Sequence, residues 1–310
     1  MSSLSDLTIL IVTYRTDEKI LKDCINSIDS NIKIRIIENS SEFKFKEKFE
    51  KLYPNITIHC TGKNLGMGSG NNFGIQFVNT RYIFILNPDT ICNKDFFTKV
   101  EHYLNKDIEF SILGATFKNE EHYQSAGYFE KNSTVKNEFD ESGLKKVDWV
   151  IGCSMIIDLK KFTTKKIFDE NFFSYFEEMD LCKQIKNNEG NVYVSKDLII
   201  NHLGNKSSSQ ADPVLARDTE ILRNWHYMWS TFYFHKKNYG YLSAFNKTYG
   251  KIARSLVKVI FFTITFNKFQ KLVYLSRLLG LFSSMIGKKS SYRVNSLFQW
   301  PGKSISESDK

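Results

Sequence analysis

Proline is scarce in this 310-residue chain, at four, and glycine is limited to 16. A collagen-like or proline-rich disordered polypeptide is therefore excluded. No cysteines stand at C-x-x-C spacing. The five present, Cys24, Cys60, Cys92, Cys153 and Cys182, are scattered and odd in number, which argues against a disulfide framework or a zinc site and for a reducing compartment. No apolar run reaches bilayer-spanning length, and Leu256–Phe266 (LVKVIFFTITF) falls short of it. The opening MSSLSDLTILIVTY has no basic n-region and carries Asp6, so no signal peptide is expected. Acid is also missing from one long stretch: between Lys251 and Lys303 there are ten Lys or Arg and no Asp or Glu. The net charge of +9 points to an anionic partner, whether nucleic acid, a membrane surface or a phosphorylated substrate.

What is abundant is apolar and aromatic: 42% hydrophobic residues, with 26 Phe and 15 Tyr, enough for a substantial core. Leu7–Val12 reads as a buried strand, and Lys19–Ser30 has helical spacing at Ile20, Leu21, Cys24, Ile25 and Ile28. A second strand, Lys33–Ile37, precedes an amphipathic helix over Phe43–Leu52 and a short strand at Ile56–His59. After a Gly/Asn-rich loop, Thr61–Gly70, a helix is expected over Gly70–Val78 and a strand over Tyr82–Leu86. This alternation predicts an α/β fold with a doubly wound, mostly parallel sheet. Further on, Phe110–Phe117 and Val147–Ile157 (broken at Gly152) read as strands and Glu120–Gly143 as a polar excursion. Glu177–Asn187 reads as a helix, with two short strands at Val192–Ser195 and Leu198–Asn201. The polar run Asn205–Asp212 is the expected boundary between a domain over 1–210 and a helical, basic region over 211–310. Arg217–Lys237 there forms a long helix with an aromatic face. The regular flanking of apolar by basic residues after Lys251 favours a membrane-surface helix over a hairpin packed on the domain with solvated lysines.

Polar clusters fall at the predicted strand ends: Thr13-Tyr14-Arg15, Glu38-Asn39-Ser40, Asn64 and Gly66 through Asn71, and Asn87-Pro88-Asp89. In a parallel sheet these ends share one edge, where open α/β sheets bind ligands. Pro88 forces the chain out of the ladder, so Asp89 is presented at that edge. Taken alone, Asp89 reads as a turn former or helix cap. The acids Glu177, Glu178 and Asp180 follow an aromatic run, and by themselves read equally as a charge bias at a helix start.

The ordered series VTYR, IIENSS, NLGMGSGNN, LNPDT, WVIGCSMII, FDENFFSYFEEMDLC and NHLGNKSS, over about residues 7–210, closely resembles family-2 glycosyltransferases of the GT-A fold. Within them it resembles the bacterial rhamnosyltransferase branch. The resemblance implies a Rossmann-like domain with a basic helical C-terminal extension. It implies Asp89 and His202 at a divalent cation, Mg2+ or Mn2+, and Thr13, Tyr14, Arg15, Glu38, Asn64, Gly66, Asn71 and Asn87 around the nucleotide. Glu178 matches the general base, with Glu177 as the fallback, while Trp149, Gly152 and Asp180 match the acceptor side. Glu38 and Glu178 each stand where relatives have Asp, one methylene shorter.

The implied activity is inverting transfer of a sugar, L-rhamnose from dTDP-L-rhamnose, to a polyprenyl-diphosphate-linked glycan in surface polysaccharide synthesis such as lipopolysaccharide O-antigen. The implied place is the cytoplasm, peripheral at the inner face of the cell membrane, with the basic tail on an anionic membrane surface. A non-catalytic scaffold of the same fold is the alternative. A nicotinamide oxidoreductase fits poorly, because the glycines follow the third strand and not the first. Nucleic acid is not expected as a partner, because the excess charge sits after residue 250 and no reading motif accompanies it.

Overall fold

The computed structural model describes residues 4–106, 108–118, 125–130, 138–203, 213–290 and 292. The chain divides into two compact units, Met1–Ser209 and Gln210–Lys310. The polar run 205–212 lies outside the described residues, as do parts of the 120–143 excursion and the end of the basic tail.

In the first unit the elements run β1 (Leu7–Thr13), α1 (Glu18–Asn26), β2 (Lys33–Glu38), α2 (Lys46–Leu52), β3 (Ile56–Cys60), α3 (Met67–Ile75) and β4 (Tyr82–Leu86). There follow β5 (Thr90–Cys92), α4 (Phe96–Asn105), β6 (Ile112–Phe117), β7 (Ala126–Gly127), β8 (Leu144–Lys146), β9 (Trp149–Val150), β10 (Ser154–Asp158), α5 (Glu177–Asn187) and β11 (Val192–His202). The main sheet has the order β3-β2-β1-β4-β10-β6-β11-β5, with β8 also on β11; β7 and β9 form a separate pair. Strands β3, β2, β1 and β4 are parallel, as βαβ crossovers require. β10 enters antiparallel between β4 and β6, returning from the long excursion rather than from a crossover helix.

The uncharged runs are explained by burial on both faces. Leu7, Ile9 and Ile11 of β1, with Tyr82, Phe84 and Leu86 of β4, pack against α1, α2 and α4. The alternate residues Leu10, Val12, Ile83 and Ile85 pack against α3 and α5. α1 starts where expected because the Asp17 carboxylate accepts from the Lys19 and Ile20 amides. α3 starts three residues before the expected Gly70. Its glycines weaken helix propensity, but they let it lie against the sheet. A Cβ on Gly74 would sit 2.4 Å from Leu10 Cδ1. The two short strands expected at 192–201 are one strand, whose register shifts between Val194 and Ile199. Ser195 Oγ accepts from the Asp197 and Leu198 amides at that irregularity.

One ion pair ties the far edge of β4 to β10. Arg81 Nη2 donates to Asp158 Oδ2 at 2.6 Å and Nε to Oδ1 at 3.1 Å, with Asp158 2% exposed and Arg81 a third exposed. Asp158→Ala is expected to lower stability by about 2 kcal/mol, read from the shift in urea midpoint; a change under about 0.5 kcal/mol would show that the pair contributes nothing net.

The second unit consists of α6 (Pro213–Tyr239), α7 (Tyr241–Ile264) and α8 (Lys268–Met285). Gly240, at φ 86°, makes the turn between α6 and α7. The aromatic face expected on α6 is the core of this unit: Trp225, Met228, Trp229 and Phe232 are buried. α6 and α8 approach closely, a Cβ on Gly280 falling 2.2 Å from Trp225 O. No helix among the described residues is long and apolar enough to cross a membrane.

Candidate active site

The β1 and β2 ends pair in register, Thr13 opposite Glu38. The Glu38 carboxylate is 1% exposed and held from three sides. Thr13 Oγ1 donates at 2.6 Å, Ser40 Oγ at 2.7 Å and the Arg15 amide at 3.2 Å. Arg15 takes φ 51°, which turns its amide toward Glu38, and its guanidinium lies 5.6 Å from the Tyr14 ring centroid. Beside this turn opens a cavity of about 140 Å³, lined by Thr13, Tyr14, Asn39, Asn64, Gly66, Met67, Phe173 and Ser174 among others. Asn39 organises its wall: Nδ2 donates to Gly66 O at 2.9 Å and to Asn64 Oδ1 at 3.2 Å, while Oδ1 accepts from the Leu65 amide at 2.9 Å. Gly66 has φ 89°, and Phe173 O lies 2.2 Å from where a Cβ would be. Asn71 is buried, its Oδ1 without a hydrogen-bond partner.

The turn after β4 is built by Asn87 and Thr90. The Asn87 amide donates to Cys153 O at 3.0 Å, and Thr90 Oγ1 returns to Asn87 O at 2.6 Å. β5 then pairs antiparallel with β11, Thr90 opposite His202. The Leu203 amide donates to Asp89 O at 2.9 Å. This pairing brings together two residues 113 positions apart: His202 Nε2 stands 3.4 Å from Asp89 Oδ1, with the Asp89 side chain 1% exposed. The His202 ring stacks on Phe117. Asn87 Oδ1, also buried, has no partner.

The acid cluster opens α5. Tyr175 and Phe176 both take left-handed backbone, φ 69° and 70°, and turn the chain sharply into the helix. Three acids therefore fall in its first turn, where the helix dipole favours negative charge. Burial opposes this and pushes the Glu178 carboxyl above the usual range; burial, then the neighbouring Glu178 charge, does the same to Glu177. Glu177 packs toward Gly68 of α3, and its Oε2 is buried without a partner; Glu178 packs toward Gly152. Asp180 is fully buried and accepts from Gln184 at 2.7 Å. Trp149 lies in β9, paired with Gly127 of β7.

The two halves share one edge. Cys153 sits in the field of both Asp89 and Glu178, which add to burial in raising its thiol pKa. The segment leading to α5 is bonded to α3: the Met67 amide donates to Phe173 O at 3.0 Å, and Asn72 makes two bonds with the Phe168 backbone, at 2.8 and 3.0 Å.

The model of glycosyl transferase family 2 matches residues 8–164, half of the chain. The chain belongs to this family. It has the GT-A fold. It is 26% identical over 201 residues to the low-salt glycan biosynthesis hexosyltransferase Agl10 of Haloferax volcanii, covering 61% of this chain and 64% of that one. It is 26% identical over 203 residues to the rhamnosyltransferase WbbL of Escherichia coli, covering 57% and 75%. Among solved structures, the mannosyltransferase PcManGT of Pyrobaculum calidifontis, in complex with GDP-Man and Mn2+, superposes with a TM-score of 0.51 at 9% identity over 92% of this chain and 89% of that one. GalNAc-T7 with UDP, GalNAc and Mn2+ gives 0.51 at 12% over 74% and 50%. At these identities the structural likeness establishes the fold alone.

Within this family-2 site, sequence reasoning passed over Asn39 and Asn72. Asn39 stands inside the quoted cluster at the β2 end, and that position was its signal. Asn72 closes the motif NLGMGSGNN, but its contact with Phe168, 96 positions away, left no local sign.

Proposed function

We propose that the chain is an inverting glycosyltransferase using a nucleoside-diphosphate sugar. The carrying observation is the approach of two acid groups to one sheet edge: Asp89 with His202, in the turn whose Asn87 amide donates to Cys153 O, and Glu178, packed against Gly152 next to Cys153. The nucleoside is assigned to the cavity lined by Thr13, Tyr14, Asn39, Asn64 and Gly66, with Glu38 holding the Thr13 hydroxyl and the Arg15 amide behind it. The donor pair suits a divalent cation, Mg2+ or Mn2+: a carboxylate oxygen and an imidazole nitrogen 3.4 Å apart, with the buried, unpartnered amide oxygen of Asn87 two residues before Asp89 in the same turn. No group of three or more His, Cys, Asp or Glu placed to hold a metal ion occurs among the described residues, so Asp89 and His202 would hold it together with substrate phosphate and water. When bound, the cation neutralises the departing diphosphate. The Mn2+ in PcManGT and GalNAc-T7 supports this choice.

Glu178 takes the proton of the acceptor hydroxyl as its oxygen bonds to the anomeric carbon and the bond to the diphosphate breaks on the opposite side. Its position against Gly152, on the acceptor side, favours it over Glu177. Trp149 and Gly152 shape the acceptor wall, and Asp180 holds the start of α5. dTDP-L-rhamnose is the favoured donor and a polyprenyl-diphosphate-linked glycan the favoured acceptor, supported by the rhamnosyltransferase WbbL. Residues 1–210 carry this chemistry and 211–310 face the membrane, at its inner surface.

Titration of UDP, GDP and dTDP sugars with and without Mn2+ tests the donor half. Asp89→Ala is expected to remove the cation dependence of nucleotide binding, a loss of about tenfold or more. Unchanged dependence would take Asp89 out of the cation site. A chain that binds donor with cation yet transfers no sugar to any lipid-linked acceptor would instead be a scaffold.

A further inference from the structure

α7 has its amphipathicity reversed. A helix in a soluble bundle buries its large apolar residues and shows polar ones to water. The buried residues of α7 are small: Ala244, Thr248 and Ser255. Most of the large ones are outside, with Ile252 packed on the core of the unit and Phe262 stacked on Tyr274 as exceptions. Of the 18 exposed large hydrophobic side chains among the described residues, nine lie on α7, and Phe266 follows directly after it. Val257, Ile260, Ile264 and Phe266 are 64%, 61%, 70% and 87% exposed. A contiguous apolar face of this kind marks an interaction surface.

Charge identifies the occupant. Lys247, Lys251, Arg254 and Lys258, at spacings of four, three and four, form a row along one flank of α7. Lys268 and Lys271 follow at the start of α8, and neither helix contains an acid. A second copy would bring these cations against their own kind. An anionic lipid surface offers acyl chains to the stripe and phosphates to the row.

We propose that α7 is an in-plane membrane-docking helix. Val257, Ile260, Ile264 and Phe266 enter the acyl boundary of an anionic phospholipid leaflet, and Arg254, Lys258 and Lys268 lie at headgroup phosphates. The inference rests on the membrane placement proposed above for residues 211–310, but it uses no residue of the sheet edge, so its failure would leave the transferase chemistry untouched.

The test is co-sedimentation of the full chain with phosphatidylcholine vesicles, with and without about 30% phosphatidylglycerol. Binding is expected to be at least about tenfold tighter to the anionic vesicles and to weaken with salt. Ile260→Ser/Ile264→Ser/Phe266→Ser should weaken it at least about tenfold, and Arg254→Gln/Lys258→Gln roughly 25-fold, about fivefold per cation. Unchanged thermal melts establish that both variants are folded. Absent binding, equal binding to neutral vesicles, or undiminished binding by the folded variants would overturn the proposal. So would a dimer in light scattering that the triple substitution dissociates, which would assign the face to a second copy.

Discussion

Glu178→Gln is expected to lower sugar transfer by about three orders of magnitude while leaving donor affinity within about twofold. The amide keeps the size and the packing against Gly152 but cannot accept the acceptor hydroxyl's proton. Transfer by the wild-type protein should rise with pH through a carboxyl pKa lying above the ordinary range, because burial raises it. The same shift fixes the sign of a stability effect. A carboxyl whose folded pKa exceeds its unfolded value contributes its stability fully below the unfolded value, near 4.5, and loses it as pH rises through the folded pKa. The buried pair therefore weakens the fold progressively as pH rises above the ordinary carboxyl range. Glu178→Gln should raise the denaturation midpoint at about pH 8 and leave it nearly unchanged at about pH 4. Full transfer by this variant, with transfer lost in Glu177→Gln, would move the base to Glu177.

Gly66→Ala is expected to cost about 3 kcal/mol or more of stability and most of the nucleotide affinity. Two effects act together. The backbone at φ 89°, ψ 177° lies in a region that essentially only glycine occupies. The added Cβ would also fall 2.2 Å from Phe173 O, a backbone atom that already accepts from the Met67 amide. Relief requires moving the 168–176 segment away from α3, which opens the cavity and displaces the start of α5. Urea denaturation with nucleotide titration measures both losses. A cost below about 1 kcal/mol would mean that the segment is loosely held.

Much of the fold can be read without coordinates because it follows local rules. The uncharged run at Tyr82–Leu86 is buried on both faces, and Pro88 ends it. The helical spacing of α1 and the alternation of strands and helices likewise follow from side-chain period and turn chemistry. The strand-end clusters were visible because every parallel strand delivers its carboxyl end to the same edge. β5, three residues long, was not visible: it carries too little pattern, and it exists through pairing with β11. The early start of α3 was hidden for a related reason, since its glycines lower helix propensity and matter only for contact with Leu10 and Ile37.

By itself the sequence determined the α/β class, the family motifs and the residue types available at the edge, because each depends on neighbours along the chain. Only the tertiary structure decided which of those residues meet. It set His202 beside Asp89, enclosed the Glu38 carboxylate among Thr13, Arg15 and Ser40, and tied Asn72 to Phe168. It also turned the large residues of α7 outward, where composition alone had shown only a basic, apolar helix. The physical reason is the same in each case. Periodicity and turn propensity act over a few residues, whereas contacts between separate elements, and the face that a helix turns to its neighbours, are set by strand register and packing density, to which the whole core contributes.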